Sequence, residues 1–452
     1  MTQICKNSLN MPNIVVKIIE TIEKEGFSAY AIGGCVRDYI LGNIPHDWDI
    51  ATSALPHHIK SIFKHTYDTG IKHGTVTVIE HGEKFEITTF RKETKYSDYR
   101  RPADVKFCDN LYEDTQRRDF TINSIAWHPQ KGIIDYHDGI GDIQKKIIRA
   151  IGEPEKRFEE DALRMLRAIR FCAKLNFAIE QNTLNSIKEC CHLIQYVSSE
   201  RIRDELSGII MSDNPLKFIL LRDTNLLQYI MPEFEICFHT EQRHPYHIYN
   251  VASHILHSVA NIEKDLILRW TMLFHDIGKP LSKSTDEDGV DHFYGHCEES
   301  VRLADNIMKR LKFDNHSRQC IIELIKLHDI KIIPDEKFIK KMLCRKGEKL
   351  FEMMLKVQEA DSRAQNLQLS INNVYNLAKA KEIAERLLCE RKCFTLKDLK
   401  ISGKDLIEIG FEQGPKIGKT LNYLLDVVIN EPEKNDRDIL IELAREKLMK
   451  SC

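Results

Sequence analysis

The spacing of apolar residues changes character once along this chain. Up to about residue 145, helical and alternating segments are mixed; beyond it the three-and-four spacing of helices takes over. MPNIVVKIIETIEKEG predicts an amphipathic helix ended by Gly26. AYAIGG predicts a strand running into a turn, and VRDYILG a short helix ended by Gly42. WDIATS, GTVTVIE and KFEITTF alternate as strands do. From Glu159 onward, EDALRMLRAIRFCAKL, IRDELSGII and SVRLADNIMKRLK carry one apolar stripe each. The pattern predicts an α+β chain, with a mixed β-sheet at the N-terminus and helices throughout the rest. Helical periodicity lapses around Gly152 to Pro154, Met231 to Pro245 and Gln365 to Ser370, so the expected units are 1–148, 149–235, 236–370 and 371–452.

Composition limits the classes open to the chain. At 452 residues it exceeds one ordinary core and fits roughly three or four units. A hydrophobic fraction of 42% and a charged fraction of 30% are those of a soluble globular protein. The net charge of -2 gives no global attraction to nucleic acid, so any RNA contact must come from a local basic patch. The 13 cysteines, spread from Cys5 to Cys452 without a repeated spacing, do not form a disulfide framework and predict a reducing, cytoplasmic setting. MTQICKNSLN lacks the order of a signal peptide, and no apolar run approaches the ~20 residues of a membrane helix. No membrane contact is expected.

Candidate chemistry begins at HDWDI, where Asp47 and Asp49 are spaced by two in a segment of strand composition, so both carboxylates point to one face. Such a pair suits Mg²⁺, which bridges triphosphate oxygens; on spacing alone, exposed strand-end acids fit as well. Gly33 and Gly34 end a strand and open a helix, where backbone N–H groups can approach a phosphate, and Arg37 stands on the first helical turn. Glu86, in FEITTFR, lies on a later strand able to pair beside the first and complete the cation cage. Asp161, Arg164 and Arg167 recur every three residues and are expected along one side of a helix. An Asp there can accept from an exocyclic amine while an Arg donates to a ring atom; an ordinary surface ion pair fits the same spacing.

IGGCVRDYILGNIPHDWDIATSA resembles the G-G-x-V-R-D and D-x-D signature of tRNA nucleotidyltransferases and bacterial poly(A) polymerases. RRDFTINSIAW, DGIGDI, EDALRMLRAIRF and ERIRDEL resemble the next elements of that family, in family order. Ile140 stands where the family usually has a second Gly. The resemblance implies a nucleotidyltransferase head at 1–148, a neck and body at 149–235 and a tRNA-binding tail at 371–452. It assigns catalysis to Asp47, Asp49 and Glu86 with Mg²⁺, and nucleotide contacts to Gly33, Gly34, Arg37, Arg118, Asp119 and Asn123. Asp161, Arg164 and Arg167 would select CTP and ATP over UTP and GTP. The basic, tyrosine-rich stretch FRKETKYSDYRRPADVKF corresponds to a loop that accompanies addition of the final A.

The second half carries HPYHIYNVASHILHS, LFHDIGKP, YGHCEES, KLHDIK and EADSRAQ, in the order of an HD-type metal site. His254, His275, Asp276 and Asp361 are the first-choice ligands of a divalent metal (Mn, Ni, Fe or Mg). His296 and His328 are candidates for a second metal or the substrate side, and His247 competes for the first ligand. HD-bearing relatives include phosphohydrolases. The leading expectation is template-independent addition of CCA to tRNA. The alternatives are an A-adding enzyme or poly(A) polymerase, an HD phosphohydrolase with an RNA-binding head, and a non-catalytic RNA-binding protein. DTGIKHGTVTV lacks the basic run associated with bacterial poly(A) polymerases. The sequence is silent on oligomeric state.

Overall fold

The computed structural model of the chain describes residues 11–45, 47–93, 105–389 and 396–449. Most of the tyrosine-rich loop expected over the nucleotide, residues 94–104, therefore lies outside the described residues. The chain forms two compact units, one up to Glu235 with Arg310–Lys312, the other from Ile236 onward without that short piece.

The first unit is built on a seven-stranded sheet. Its strands are β1 (Ala29–Ile32), β2 (Trp48–Thr52), β3 (Thr66–Gly70), β4 (Thr75–Glu80), β5 (Glu83–Thr89), and, after a separate hairpin of β6 (Arg91–Glu93) and β7 (Val105–Phe107), β8 (Ala126–His128) and β9 (Gly132–Ile134). Their order is β3-β4-β5-β2-β1-β8-β9. β2 and β5 run parallel; the other pairs in the sheet are antiparallel. The predicted helix forms at Asn13–Lys24 and turns Val15, Ile18, Ile19 and Ile22 inward. That spacing is the one a helix needs to lay a single stripe on a core, each side chain contributing ~1.5–3 kcal/mol on full burial. β4 and β5 are joined by His81 and Gly82 alone, both at positive φ (51° and 84°), as the tightest hairpins require.

The DGIGDI segment explains its own departure from the family pattern. Asp135 accepts from the backbone N–H of Gly139 (3.0 Å) and of Ile140 (2.8 Å), so the amide at Ile140 is satisfied within the segment. Gly139 is the position of close approach, since a Cβ there would run into the carbonyl oxygen of Thr121.

Beyond the sheet the first unit is helical, with Pro154–Glu160, Leu163–Leu175, Gln181–Cys190 and Ser199–Ile210 as its longest pieces. One sequence expectation needs correction here. Asp161 is not on the helix that carries Arg164 and Arg167: it lies between two helices at φ -144° and ψ 100°. Its carboxylate accepts from the N–H of Leu163 (3.2 Å), capping the helix instead of continuing it.

Long helices make up the second unit, among them Val251–Asn261, His296–Arg310, Asn315–Leu327, Glu348–Arg363 and Leu367–Cys389. Its C-terminal helices Gly403–Glu408, Pro415–Asn430 and Arg437–Met449 close a separate core around Leu406, Phe411, Leu424 and Leu440. Among the described residues, no helix is long and apolar enough to cross a membrane.

Candidate active site

β1 and the helix Gly34–Ile40 meet at Gly33, whose φ of 94° disfavours any side chain. A Cβ there would stand 3.0 Å from the Arg118 guanidinium and 3.7 Å from Asp49 Oδ2. The glycine thus lets a cation and a carboxylate approach the same turn. Gly33→Ala is expected to lower the rate of the reaction performed here about tenfold, from ~1–2 kcal/mol of backbone strain and displacement of Arg118. Unchanged single-turnover rates in that variant would show that the close approach does not matter.

Parallel pairing of β2 with β5 sets Asp49 directly opposite Glu86. Asp47 precedes the first residue of β2, so it lies just before the strand and is exposed; Asp49 is half-buried and Glu86 exposed. Burial pushes Asp49 up to about 6, and the neighbouring carboxylates of Glu86 and Asp47 push in the same direction against Arg118. Asp49 thus carries a carboxylate whose charge burial disfavours, with Glu86 opposite it and Asp47 just before the strand.

Asp47 and Asp49, but not Glu86, open onto a cleft of about 560 Å³, whose walls also include Gly34, Arg37, Arg118, Asp119, Asn123 and Arg167. Arg170 and Lys174, which the motifs did not single out, add two further cations. A buried network links the walls. Arg167 donates to Asp119 Oδ2 from Nε (2.8 Å) and Nη2 (2.6 Å), and Asn123 Nδ2 donates to Asp119 Oδ1 (3.1 Å). Arg37, in the cleft wall, donates to Asn123 Oδ1 and to Asp38 (2.8 Å), so its guanidinium positions Asn123. Phe171 packs under Arg37, Arg167 and Arg170, with ring-centroid distances of 5.1, 5.4 and 4.4 Å.

Although burial opposes charge on Asp119, Arg167 outweighs it and brings the carboxyl down to about 2. A depressed folded-state value stabilises the fold above the unfolded carboxyl value of about 3.9, and that stability disappears as pH falls toward about 2. Asp119→Asn is therefore expected to cost about 2 kcal/mol at neutral pH and progressively less between pH 4 and 2. Urea unfolding of wild type and variant across that range measures the difference; a constant gap down to pH 2 would contradict the assignment.

Asp161 and Arg164 are not in the cleft wall. Arg201 donates to Asp161 (2.9 Å), while Arg164 donates to Glu160 (2.7 Å) and to the carbonyls of Arg157 (3.1 Å) and Arg117 (3.0 Å).

Comparison with known proteins converges on one family. The family model for the poly A polymerase head domain matches residues 29–149, and that for the probable RNA and SrmB-binding site of polymerase A matches 176–237. A model for domain 2 of tRNA nucleotidyltransferases matches 294–444. The CCA-adding enzyme of Ligilactobacillus salivarius is 36% identical over 433 residues, 95% of each chain. The chain belongs to the CCA-adding enzyme family. With the CCA-adding enzyme of Limosilactobacillus reuteri it shares 53% identity over 199 residues, 44% of this chain and about half (49%) of that one. The solved structure of the Bacillus stearothermophilus CCA-adding enzyme in complex with CTP superposes with a TM-score of 0.71 at 28% identity, covering 97% of this chain and 98% of that one.

In this CCA-adding family member the second unit gathers another set of donors. His254, His275, Asp276 and Asp361 each bring a ligand atom within 4.8 Å of the others. His254 and His275 Nε2 lie 3.3 and 3.2 Å from Asp276 Oδ2, and 2.8 and 3.4 Å from Asp361 Oδ1. His275 Nδ1 donates to the Met272 carbonyl (2.7 Å), which turns Nε2 toward the two carboxylates. Both His275 Nε2 and Asp276 Oδ2 are buried without a well-directed hydrogen bond, although Lys279 Nζ stands 2.7 Å from the latter. Burial resists charge on Asp276, but His275 and Lys279 hold it well below the usual carboxylate range. Two imidazoles and two carboxylates with unsatisfied atoms facing one point fit a divalent transition metal.

His296 and His328 come together with Cys297 in an adjoining group. His247 lies beside His254, ring to ring at 5.4 Å, outside both groups. Cys297 and Lys279 escaped the sequence reading; their only signal was adjacency to His296 in GHCEES and to the HD pair in HDIGKP.

Proposed function

We propose that the chain adds cytidylate and adenylate residues to the 3′ end of tRNA, building or repairing CCA from CTP and ATP with release of pyrophosphate. The observation that carries this reading is a cleft walled by Asp47, Asp49, Arg118, Arg167 and Arg170, with Glu86 opposite Asp49 on the adjoining strand. Asp47, Asp49 and Glu86 would hold Mg²⁺, which would supply charge neutralisation and Lewis-acid chemistry for nucleotide transfer. Arg118, Arg170 and Lys174 supply positive charge for the triphosphate. Asp119 and Asn123, fixed from behind by Arg167 and Arg37, are placed for the ribose hydroxyls. Asp161 and Arg164 read the base after exchanging their present partners, Arg201 and Glu160, for its hydrogen-bonding edge. The helices beyond the head contact tRNA through backbone and shape, since one enzyme must serve many tRNAs.

Incubating the purified protein with tRNA ending before CCA and each labelled nucleotide tests the reading. Incorporation of two CMP and then one AMP is expected. AMP incorporation confined to tRNA already ending in CC would identify an A-adding enzyme.

A second activity is supported by the convergence of His254, His275, Asp276 and Asp361 on one point. In this reading 236–370 is an HD-type domain that hydrolyses phosphate esters. His254, His275, Asp276 and Asp361 would hold a divalent metal, which would supply Lewis-acid activation for hydrolysis; Lys279 neutralises Asp276 and orients it. The free state of every cysteine among the described residues accords with a cytosolic location.

A further inference from the structure

Resting on the hydrolytic reading of the second unit, we infer that Gln358, Asn373 and Asn376 form a nucleobase subsite beside His254, His275, Asp276 and Asp361, so that the bond hydrolysed there joins two nucleosides of a single-stranded nucleic acid. Two hollows meet at that cluster. One is a cleft of about 520 Å³ whose wall includes Lys279 and Tyr294; the other, of about 250 Å³, is lined by the three amides together with Ile330 and Leu377. His328 and Asp361 belong to both walls. A mononucleotide fills one hollow. A phosphate at their junction with a nucleoside on each side fills both. Hydrolysis of that link breaks one P–O ester bond: water gives its hydroxyl to phosphorus and a proton to the leaving oxygen, yielding a nucleotide and a nucleoside hydroxyl.

The smaller hollow is oriented for hydrogen bonding. Gln358 stands one turn before Asp361 on the helix Glu348–Arg363 and is only 8% exposed. Its Nε2 donates to the carbonyls of Leu327 (3.0 Å) and Ile330 (2.8 Å), which fixes the amide and leaves Oε1, without a protein donor among the described residues, as an acceptor toward the hollow. Asn373 and Asn376 come from the helix Leu367–Cys389, tied to the first helix by the Ser370 hydroxyl donating to the Ser362 carbonyl (2.9 Å). Neither asparagine side chain is hydrogen-bonded within the described residues. Free amides with Ile330 and Leu377 in the same wall match a base, polar at its edge and apolar on its faces. An anion is poorly served there, since Asp329 and Asp361 oppose Lys331. The larger hollow takes a base by stacking instead. Tyr294 is 79% exposed and lies on His292 at 5.4 Å and 9°, just beyond a hairpin that Asp291 clasps by accepting from the Arg243 N–H (2.8 Å) and the Thr285 hydroxyl (2.8 Å).

Photocrosslinking locates the subsite whatever the activity. The full-length protein is irradiated in Mn²⁺ with a dinucleoside phosphorothioate carrying thiouridine, and the crosslinked peptides are identified by mass spectrometry. A crosslink within the helices Glu348–Arg363 or Leu367–Cys389 is expected, lost when Asn373→Ala and Asn376→Ala are combined. The same double variant should lower the preference for a dinucleoside monophosphate over a small chromogenic phosphodiester about tenfold, through KM, as two lost hydrogen bonds imply. Circular dichroism checks that it folds. Crosslinks absent from these helices, or an unchanged preference in the variant, overturn the inference, and hydrolysis of the chromogenic ester then leaves the hydrolytic reading standing. The expected crosslink in a protein that hydrolyses neither ester removes the hydrolytic reading and upholds the subsite.

Discussion

Replacing Asp49 with Asn should lower the single-turnover rate of CMP addition by about three orders of magnitude or more, the scale of transition-state charge stabilisation supplied by a bound divalent ion. The substitution keeps the volume of the side chain and the backbone pairing of β2 with β5, so the loss is not one of folding. It removes the half-buried member of a trio of carboxylates, the one whose charge Asp47, Glu86 and burial already oppose. A divalent cation relieves that opposition, and an amide cannot take its place. Glu86→Gln, at an exposed position, should cost less. Addition within tenfold of wild type in Asp49→Asn, with an unchanged melting temperature, would remove the metal assignment.

The second large effect is expected in the other compact unit. Asp276→Ala should abolish metal-dependent hydrolysis of a chromogenic phosphodiester and reduce bound metal to background, while CMP addition stays within about twofold, as expected for residues in separate units. Removing this carboxylate takes from Lys279 its ion-pair partner and from His254 and His275 one of two carboxylates, Asp361 remaining. Breaking a buried pair in this way costs ~3–5 kcal/mol, so Asp276→Asn, which keeps the shape, serves as the companion variant. Loss of both activities in a protein with native circular dichroism would argue that hydrolysis and addition share one site.

The head was legible in the sequence because strand geometry has an invariant period. FEITTF declares which residues share a face, and β5 beside β2 brings Asp49 and Glu86 together; Asp47, expected on the same strand face, lies just before β2. The helix containing Arg164 was less legible for a physical reason. Phe158, Ala162, Met165, Leu166 and Ile169 keep a helical apolar register straight through the interruption. The break at Asp161 comes from its own carboxylate competing for the backbone N–H of Leu163, which apolar spacing does not record. Nor does spacing reveal Arg170 and Lys174 as cleft residues, since a helix stripe of basic groups reads as solvated surface until Asp119 and Phe171 pack against it. In the second unit, motif order was enough to collect His254, His275, Asp276 and Asp361. Cys297 emerged only once the first turn of the helix His296–Arg310 had been folded against His328.

The two-residue connection of His81 and Gly82 acquires significance from this arrangement. Glu86 is presented beside Asp49 because β5 leaves that loop in one register, and a slip of one residue would send Glu86 to the opposite face of the sheet. The length of a surface hairpin at the far end of the strand from Phe90 is therefore tied to the metal chemistry. In descendants of this chain, insertions there should be excluded as strictly as substitutions of the carboxylate itself, although neither loop residue touches the cleft.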